Sequence, residues 1–162
     1  RVRRPSFGGR RRGRLPRTLG RTEPVPLRPH LDPTRRSATV LQLKPLDENV
    51  PIFQQLNSDV SPVVLVNIFH VAEADIPALM KAWEADANWM KKQPGYISTQ
   101  LHQGIAGSNV FMNYALWESV AHFRAAFTHP EFTDALSHYP SSAVASPHLF
   151  TRLTVPNLCI GP

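Results

Sequence analysis

The chain has 162 residues and a net charge of +6 at pH 7, and it contains a single cysteine. The basic charge lies at one end, because residues 1–36 carry +10 and residues 37–162 carry −4. There is no run of about 18 apolar residues, so we expect no membrane span, and one cysteine excludes an intrachain disulfide and a CxxC zinc site. The composition favours a cytoplasmic protein, with affinity for nucleic acid expected only of the basic tail.

The tail, residues 1–36, holds twelve Arg, six Pro and four Gly with few apolar side chains, which predicts disorder. Three interpretations of it stay open. It is an over-extended reading frame, since the first methionine is Met80. It is a targeting segment, since it is rich in Arg and poor in acids, although its prolines oppose an amphipathic helix. Or it is a basic arm that binds nucleic acid by counterion release.

A linker, residues 37–62, follows the tail and is punctuated by three prolines. Within it, Ile52, Phe53 and Leu56 are expected to form a short turn that docks on the domain. At the other end of the chain, residues 156–162 are expected to form a short C-terminal tail.

The folded domain is predicted to begin with the strand 63–71, VVLVNIFHV, which is β-branched or apolar at most positions. A helix follows, with Pro77 in its first turn and its end at Pro94-Gly95. Its apolar stripe has helical spacing and comprises Ile76, Leu79, Met80, Trp83, Ala87 and Met90.

Two further strands are predicted at 96–103 and 110–118, joined by a loop rich in Gly, Ser and Asn. A second helix is expected to start near Ser119 and to be interrupted at Pro130. The last strand is predicted at 148–155, after a loop rich in Ser and Pro.

The predicted order β-α-β-β-α-β over residues 63–155 is that of an α+β, ferredoxin-like domain. Such a domain has a four-stranded antiparallel sheet with both helices on one face. A unit of this size leaves the other face of its sheet uncovered, and burying that face against a second copy would stabilise it. We therefore expect a homodimer in which two sheets pack together.

Three segments carry a resemblance to a known family: VVLVNIFHV, QPGYISTQLHQ and NYALWESVAHFRAAFTHPEF, in this order along the chain. Over roughly residues 62–155 the chain resembles the antibiotic biosynthesis monooxygenase (ABM) family, whose members form dimeric α/β barrels. The resemblance implies a range of activities. Some members are cofactor-free oxygenases of aromatic polyketides, some degrade haem, and others have no known activity.

Asn113 and Trp117 match the Asn-x-x-x-Trp pattern of the polyketide-oxygenase branch, and the resemblance implies that they line a substrate cavity. Strand alternation puts both on one face. Asn113 would donate a hydrogen bond to a phenolate or ketone oxygen, and Trp117 would offer a flat wall to a polycyclic ring. The alternative is that Trp117 belongs to the core or to a dimer interface.

Asn67 interrupts an otherwise apolar strand, where a buried amide is costly unless something satisfies it. The haem-degrading branch has an asparagine at the matching place and pairs it with a Trp and a His. Those two positions are Ala126 and Leu136 here, with His138 two residues further on, so this chain departs from that pattern. Alternatively, Asn67 bonds only backbone or a partner chain.

Four further residues complete the candidate substrate site. His70 and His102 are placed near strand ends, where either could deprotonate a phenol near neutral pH, the alternative being that each faces solvent. Phe69 and Phe111 share strand faces with the two asparagines. The spacing of the remaining histidines matches no known metal motif, so we expect no metal.

Together these features predict a monooxygenase that acts on an electron-rich, aromatic small molecule, polyketide- or quinol-like, with molecular oxygen and no cofactor. A haem-binding or haem-degrading monooxygenase is one alternative. A non-catalytic dimeric barrel that binds a small molecule is the other.

Overall fold

The computed structural model describes residues 40–161, and the basic tail lies outside them. In this part of the chain the strands are β1 Gln42–Leu43, β2 Val63–His70, β3 Tyr96–Gln103, β4 Val110–Trp117 and β5 Val144–Phe150. The α-helices are α1 Ile52–Gln55, α2 Ile76–Met90, α3 Val120–Phe127 and α4 Pro130–Ala135. None of these helices is both long enough and apolar enough to cross a membrane.

The sheet has five strands in the order β1-β5-β2-β4-β3. The pairs β2–β4, β2–β5 and β3–β4 are antiparallel, as in a ferredoxin-like domain, and β1 lies parallel to β5. The α+β class is confirmed, but the expectation of a purely antiparallel four-stranded sheet is wrong. The fifth strand comes from the segment interpreted as a linker, and it is held by the hydrogen bond from the Lys44 amide to the Ala145 carbonyl, 2.9 Å long.

The segment before β2 packs on the domain through two of the three apolar residues of the predicted docking turn, whereas the third, Phe53, is 60% exposed. Ile52 and Leu56 at the two ends of α1 are 5% and 3% exposed and lie in the main core cluster. The Gln55 side chain donates to the Leu149 carbonyl and accepts from the Leu149 amide, each at 2.9 Å. The Arg124 guanidinium donates to the Leu56 carbonyl at 3.1 Å. Residues outside the predicted domain therefore contribute to its core.

Helix α2 lies where the periodicity predicts it, but its buried stripe is rotated. Leu79, Ala82 and Asp86 are the buried positions, whereas Met80, which was assigned to the stripe, is 39% exposed. Neighbouring positions can belong to either of two overlapping stripes on a helix of this length, and packing against the sheet selects one of them. The selected stripe carries an acid, Asp86, into the interior.

The second predicted helix is divided as expected. Ser119 caps α3, because its hydroxyl accepts the His122 amide at 3.2 Å. His129 caps α4 through its Nδ1, which accepts the Glu131 amide at 3.2 Å, and Pro130 occupies the first position of that helix. The interruption at Pro130 is confirmed, since proline suits a first turn and breaks a helix interior.

Strand β5 begins four residues earlier than the predicted strand at 148–155 and ends at Phe150. The sequence prediction placed Pro147 in the loop rich in Ser and Pro that precedes this strand. In the structure β1 pairs only with Val144 and Ala145, so β5 is an edge strand at Pro147. An edge position tolerates proline, because its missing amide leaves no ladder bond broken there.

Buried side chains of α1, α2 and α3 pack against the sheet, and the core of residues 40–161 falls into two clusters. One surrounds Trp117 and Phe123, and the other surrounds Phe69, Leu79 and Tyr139. The space between the two clusters is a cavity.

Candidate functional site

The central cavity lies between the sheet and helices α2, α3 and α4. Its volume is about 70 Å³, several times what one water molecule needs. Its lining is mostly apolar, and its Phe and Trp side chains are Phe69, Trp83, Phe123, Phe127 and Phe132. Few polar groups reach it. This combination is typical of a small-molecule binding site.

Two asparagines lie side by side on adjacent strands at the floor of the cavity. Asn67 on β2 and Asn113 on β4 are direct cross-strand partners and both line the cavity, so their Cβ atoms are about 4.5–5.5 Å apart. The Thr99 hydroxyl donates to Asn113 Oδ1 at 2.5 Å, which leaves the Asn113 amide group to donate elsewhere. Asn67 Oδ1 is buried and has no partner among the described residues. The two side chains can therefore meet one polar group of a ligand.

Trp117 stands behind the cavity wall. It is 1% exposed and is absent from the cavity lining. Its ring packs edge-on against Tyr96 and Phe123, with ring centroids 5.5 Å away in both cases, and those two rings do line the cavity. Its Nε1 is buried with no acceptor in the described part of the chain. Trp117 thus supports the wall that a ligand would contact.

The other sequence-derived candidates divide between the two faces of the sheet. Phe69 lines the cavity, and its cross-strand partner Phe111 is 2% exposed in the neighbouring core cluster. His70 and His102 are exposed and follow the alternation of the opposite face. His102 Nδ1 lies 3.3 Å from the Met112 carbonyl oxygen. Neither histidine is brought to the cavity, because strand geometry points it away.

Asp86 is the cavity residue that the sequence reasoning missed. It is 8% exposed, and burial raises the pKa of its carboxyl from 3.8 to about 6, while a hydrogen bond from Tyr139 and the charge of His138 act in the opposite direction. The pKa of Tyr139 is raised by burial and by Asp86. A signal existed: Asp86 lies three residues after Trp83 and four before Met90, on the apolar side of a helix.

The chemistry available in the cavity is that of amides, hydroxyls and one carboxyl group. Within residues 40–161 there is no group of three or more His, Cys, Asp or Glu side chains that could hold a metal ion. Amide donors can hold an oxyanion, and a buried carboxylate can accept a proton.

Residues 62–137 match the model of the antibiotic biosynthesis monooxygenase family. A candidate monooxygenase from Shewanella loihica is 33% identical, and 61% of this chain aligns with 100% of that one at a TM-score of 0.51. The chain belongs to the antibiotic biosynthesis monooxygenase family. The family inferred from sequence motifs is therefore confirmed.

This ABM protein is also similar to SnoaB, a cofactor-independent oxygenase from Streptomyces nogalater. The two are 26% identical, and the match covers 60% of this chain and 100% of SnoaB at a TM-score of 0.54. A conserved protein of unknown function from Bacteroides thetaiotaomicron, 18% identical, shares the fold over 56% of this chain and 96% of its own, at a TM-score of 0.51. A search of curated proteins found no match.

Proposed function

We propose that this ABM protein is a monooxygenase that oxidises a small, electron-rich aromatic molecule, polyketide- or quinol-like, with molecular oxygen and without a bound cofactor. The observation that carries the proposal is the facing pair Asn67 and Asn113 on the floor of an apolar, aromatic-lined cavity. The similarity to SnoaB, a cofactor-independent oxygenase, supports the reaction class.

In the proposed reaction the substrate itself supplies the electrons that reduce oxygen. Oxidation of an activated CH₂ group to a carbonyl releases four electrons, which is the number that one O₂ molecule accepts. One oxygen atom enters the carbonyl group and the other leaves as water. The asparagine amides would hold the oxygen on which the substrate's negative charge develops, as donors do in an oxyanion hole. The remaining walls would bind the ring.

The candidate residues take different parts in this proposal. Asn67, Asn113 and Phe69 would contact the substrate. Trp117 is a positioning residue, which would act through the Tyr96 and Phe123 rings that it supports. His70, His102 and Phe111 lie outside the cavity lining and have no part in it.

Haem chemistry, the first alternative from the sequence, finds less support in the cavity. Iron in a haem is held by an axial side chain such as His, Cys, Met or Tyr. Among the described residues the cavity lining contains Met90, Tyr96 and Tyr139 but no His or Cys, so the histidine that the haem-degrading branch uses has no counterpart there. His138 lies on the outer surface beyond α4, where it is exposed.

The dimer is a further part of the proposal. The sheet face opposite the helices, here called the open face, carries half-buried Val66, Ile68 and Met112, and its Phe150 is 42% exposed. Apolar side chains on three strands that face no helix are suited to a second copy of the same sheet. We propose that two open faces pack together as a homodimer.

Sedimentation velocity tests the dimer. The wild type should sediment as a dimer at micromolar concentration, and Ile68→Glu, which buries a charge in the interface, should sediment as a monomer. Met80→Glu adds the same charge to an exposed apolar position on the helical side and should remain dimeric. A monomeric wild type would exclude the proposed interface.

Oxygen uptake with a panel of hydroquinones and anthrone tests the reaction. The protein should accelerate uptake over the no-protein control for at least one compound, and Asn113→Ala should lower that rate by about 10²-fold, the usual effect of losing one oxyanion donor. Asn88→Ala removes an exposed asparagine of α2 and is the matched control. Uptake equal to the no-protein control across the panel would contradict the proposal, and binding without uptake would favour a non-catalytic barrel.

A further inference from the structure

Asp86 of α2 lines two spaces at once. On one side it borders the central cavity with Asn67 and Asn113. On the other it borders an open cleft, here called the outer cleft, whose lining includes Glu131, Phe132, Asp134 and His138. Of the described residues only Asp86 and Phe132 belong to both linings. The carboxyl group of Asp86 is therefore the titratable link between the cavity and the protein surface.

The Asp86 side chain is held in place from the cavity side. The Tyr139 hydroxyl lies close enough to the carboxyl group to lower its pKa. The Tyr139 ring is itself immobilised, since it is 6% exposed and stacks on Phe69 with ring centroids 6.0 Å apart and planes 5° apart. Because Phe69 forms part of the cavity wall, the same contact fixes the carboxylate relative to a bound ligand.

The burial of this acid disfavours its charged form, and its apolar neighbours on α2 would pack equally well around an uncharged side chain. Burial gives Asp86 a pKa of about 6, so at neutral pH the group is mostly ionised and is a stronger base than an exposed carboxylate. The groups that face it from neighbouring elements are Tyr139 and His138, with Glu131 and Asp134 across the outer cleft. Acids with a pKa raised by burial are concentrated at functional sites.

We propose that Asp86 is the general base of the central cavity and that Tyr139 positions it. This inference rests on the proposed function for its substrate class, an aromatic carbon acid with a carbonyl-activated CH₂ group. In the step, the C–H bond breaks and a carboxyl O–H bond forms on Asp86. The electron pair stays on the substrate as an enolate, whose oxygen the Asn67 and Asn113 amides would hold. The proton then leaves Asp86 for water in the outer cleft, so the step consumes no oxidant.

Hydrogen–deuterium exchange at the CH₂ group of anthrone, in D₂O under nitrogen, isolates this step from oxygenation. NMR should show faster exchange with the wild type than without protein, and a rate that rises with pH through the pKa of Asp86. Asp86→Asn should lower the protein-dependent rate by about 10²-fold, within the range for loss of a general base. Asp59→Asn, which removes an exposed acid that lines neither the cavity nor the outer cleft, should leave the rate unchanged. Tyr139→Phe should reduce the rate less and shift the midpoint of the pH profile.

Each result of these experiments either supports the assignment of Asp86 as the general base or overturns it. A folded Asp86→Asn variant, with a circular dichroism spectrum like that of the wild type, that exchanges anthrone at the wild-type rate would overturn the assignment. So would a wild type that gives no acceleration over the no-protein control. Exchange by the wild type without oxygen uptake in the parallel aerobic assay would refute the oxygenase proposal and leave the base assignment standing.

Discussion

Replacing Asp86 with asparagine should stabilise the folded protein, and the gain should grow with pH. Burial raises the pKa of this carboxyl from 3.8 to about 6. The folded state thus prefers the protonated acid, so its stabilising contribution is complete below the unfolded pKa and is lost as the pH rises through the folded pKa. The interval between the two pKa values corresponds to roughly 3 kcal/mol of unfolding free energy at full ionisation. Asparagine does not titrate and avoids this loss.

Urea unfolding followed by tryptophan fluorescence measures the effect, with protein concentration held constant so that any association does not change. The difference in unfolding free energy between Asp86→Asn and the wild type should widen by about 2 kcal/mol between pH about 4.5 and about 7.5. Asp59→Asn controls for the loss of one negative charge from the exposed surface. A difference that stays constant over this range would refute the reasoning, because it would show that folding does not perturb the Asp86 carboxyl.

Three other substitutions test the fold and the site, each by urea unfolding. Leu56→Ala should lower the free energy of unfolding by about 2–5 kcal/mol, because this side chain is 3% exposed in the core. A loss below about 1 kcal/mol would mean that α1 is not part of the domain core. Asn67→Leu should stabilise by about 1–2 kcal/mol, since it removes a buried oxygen without a partner, and should abolish anthrone oxidation; retained oxidation would exclude Asn67 from the site. Gly95→Ala should cost about 1–3 kcal/mol, because Gly95 has a φ of +76° and its new methyl group would collide with the His122 ring. Adding His122→Ala should recover only part of that loss, and full recovery would show that the φ angle is not strained.

The sequence alone determined those features of this protein that depend on short-range chemistry. Alternation along β2 and β4 put Asn67 on a face with Phe69, and Asn113 on a face with Trp117. The proline at position 130 divided the second helical segment where the structure divides it. The family could also be named, because its motifs are contiguous runs of residues.

Only the tertiary structure decided which of these residues meet. The pairing of Asn67 with Asn113 depends on strand register, and the parallel pairing of β1 with β5 joins residues about a hundred positions apart in the chain. Packing between distant segments also set Trp117 behind Tyr96. These outcomes follow from packing between distant segments, which local periodicity does not encode.

The buried side of α2 is the clearest case in which packing decided what the sequence left open. A spacing of 3.6 residues specifies that one side of the helix is buried, but the sequence prediction chose a stripe that contained Met80 and left out Asp86. The contacts of the helix with the sheet and with Tyr139 turned Asp86 inward. A single sequence could show that an acid lies next to an apolar stripe; only packing could bury it in the cavity, where water no longer stabilises its charge.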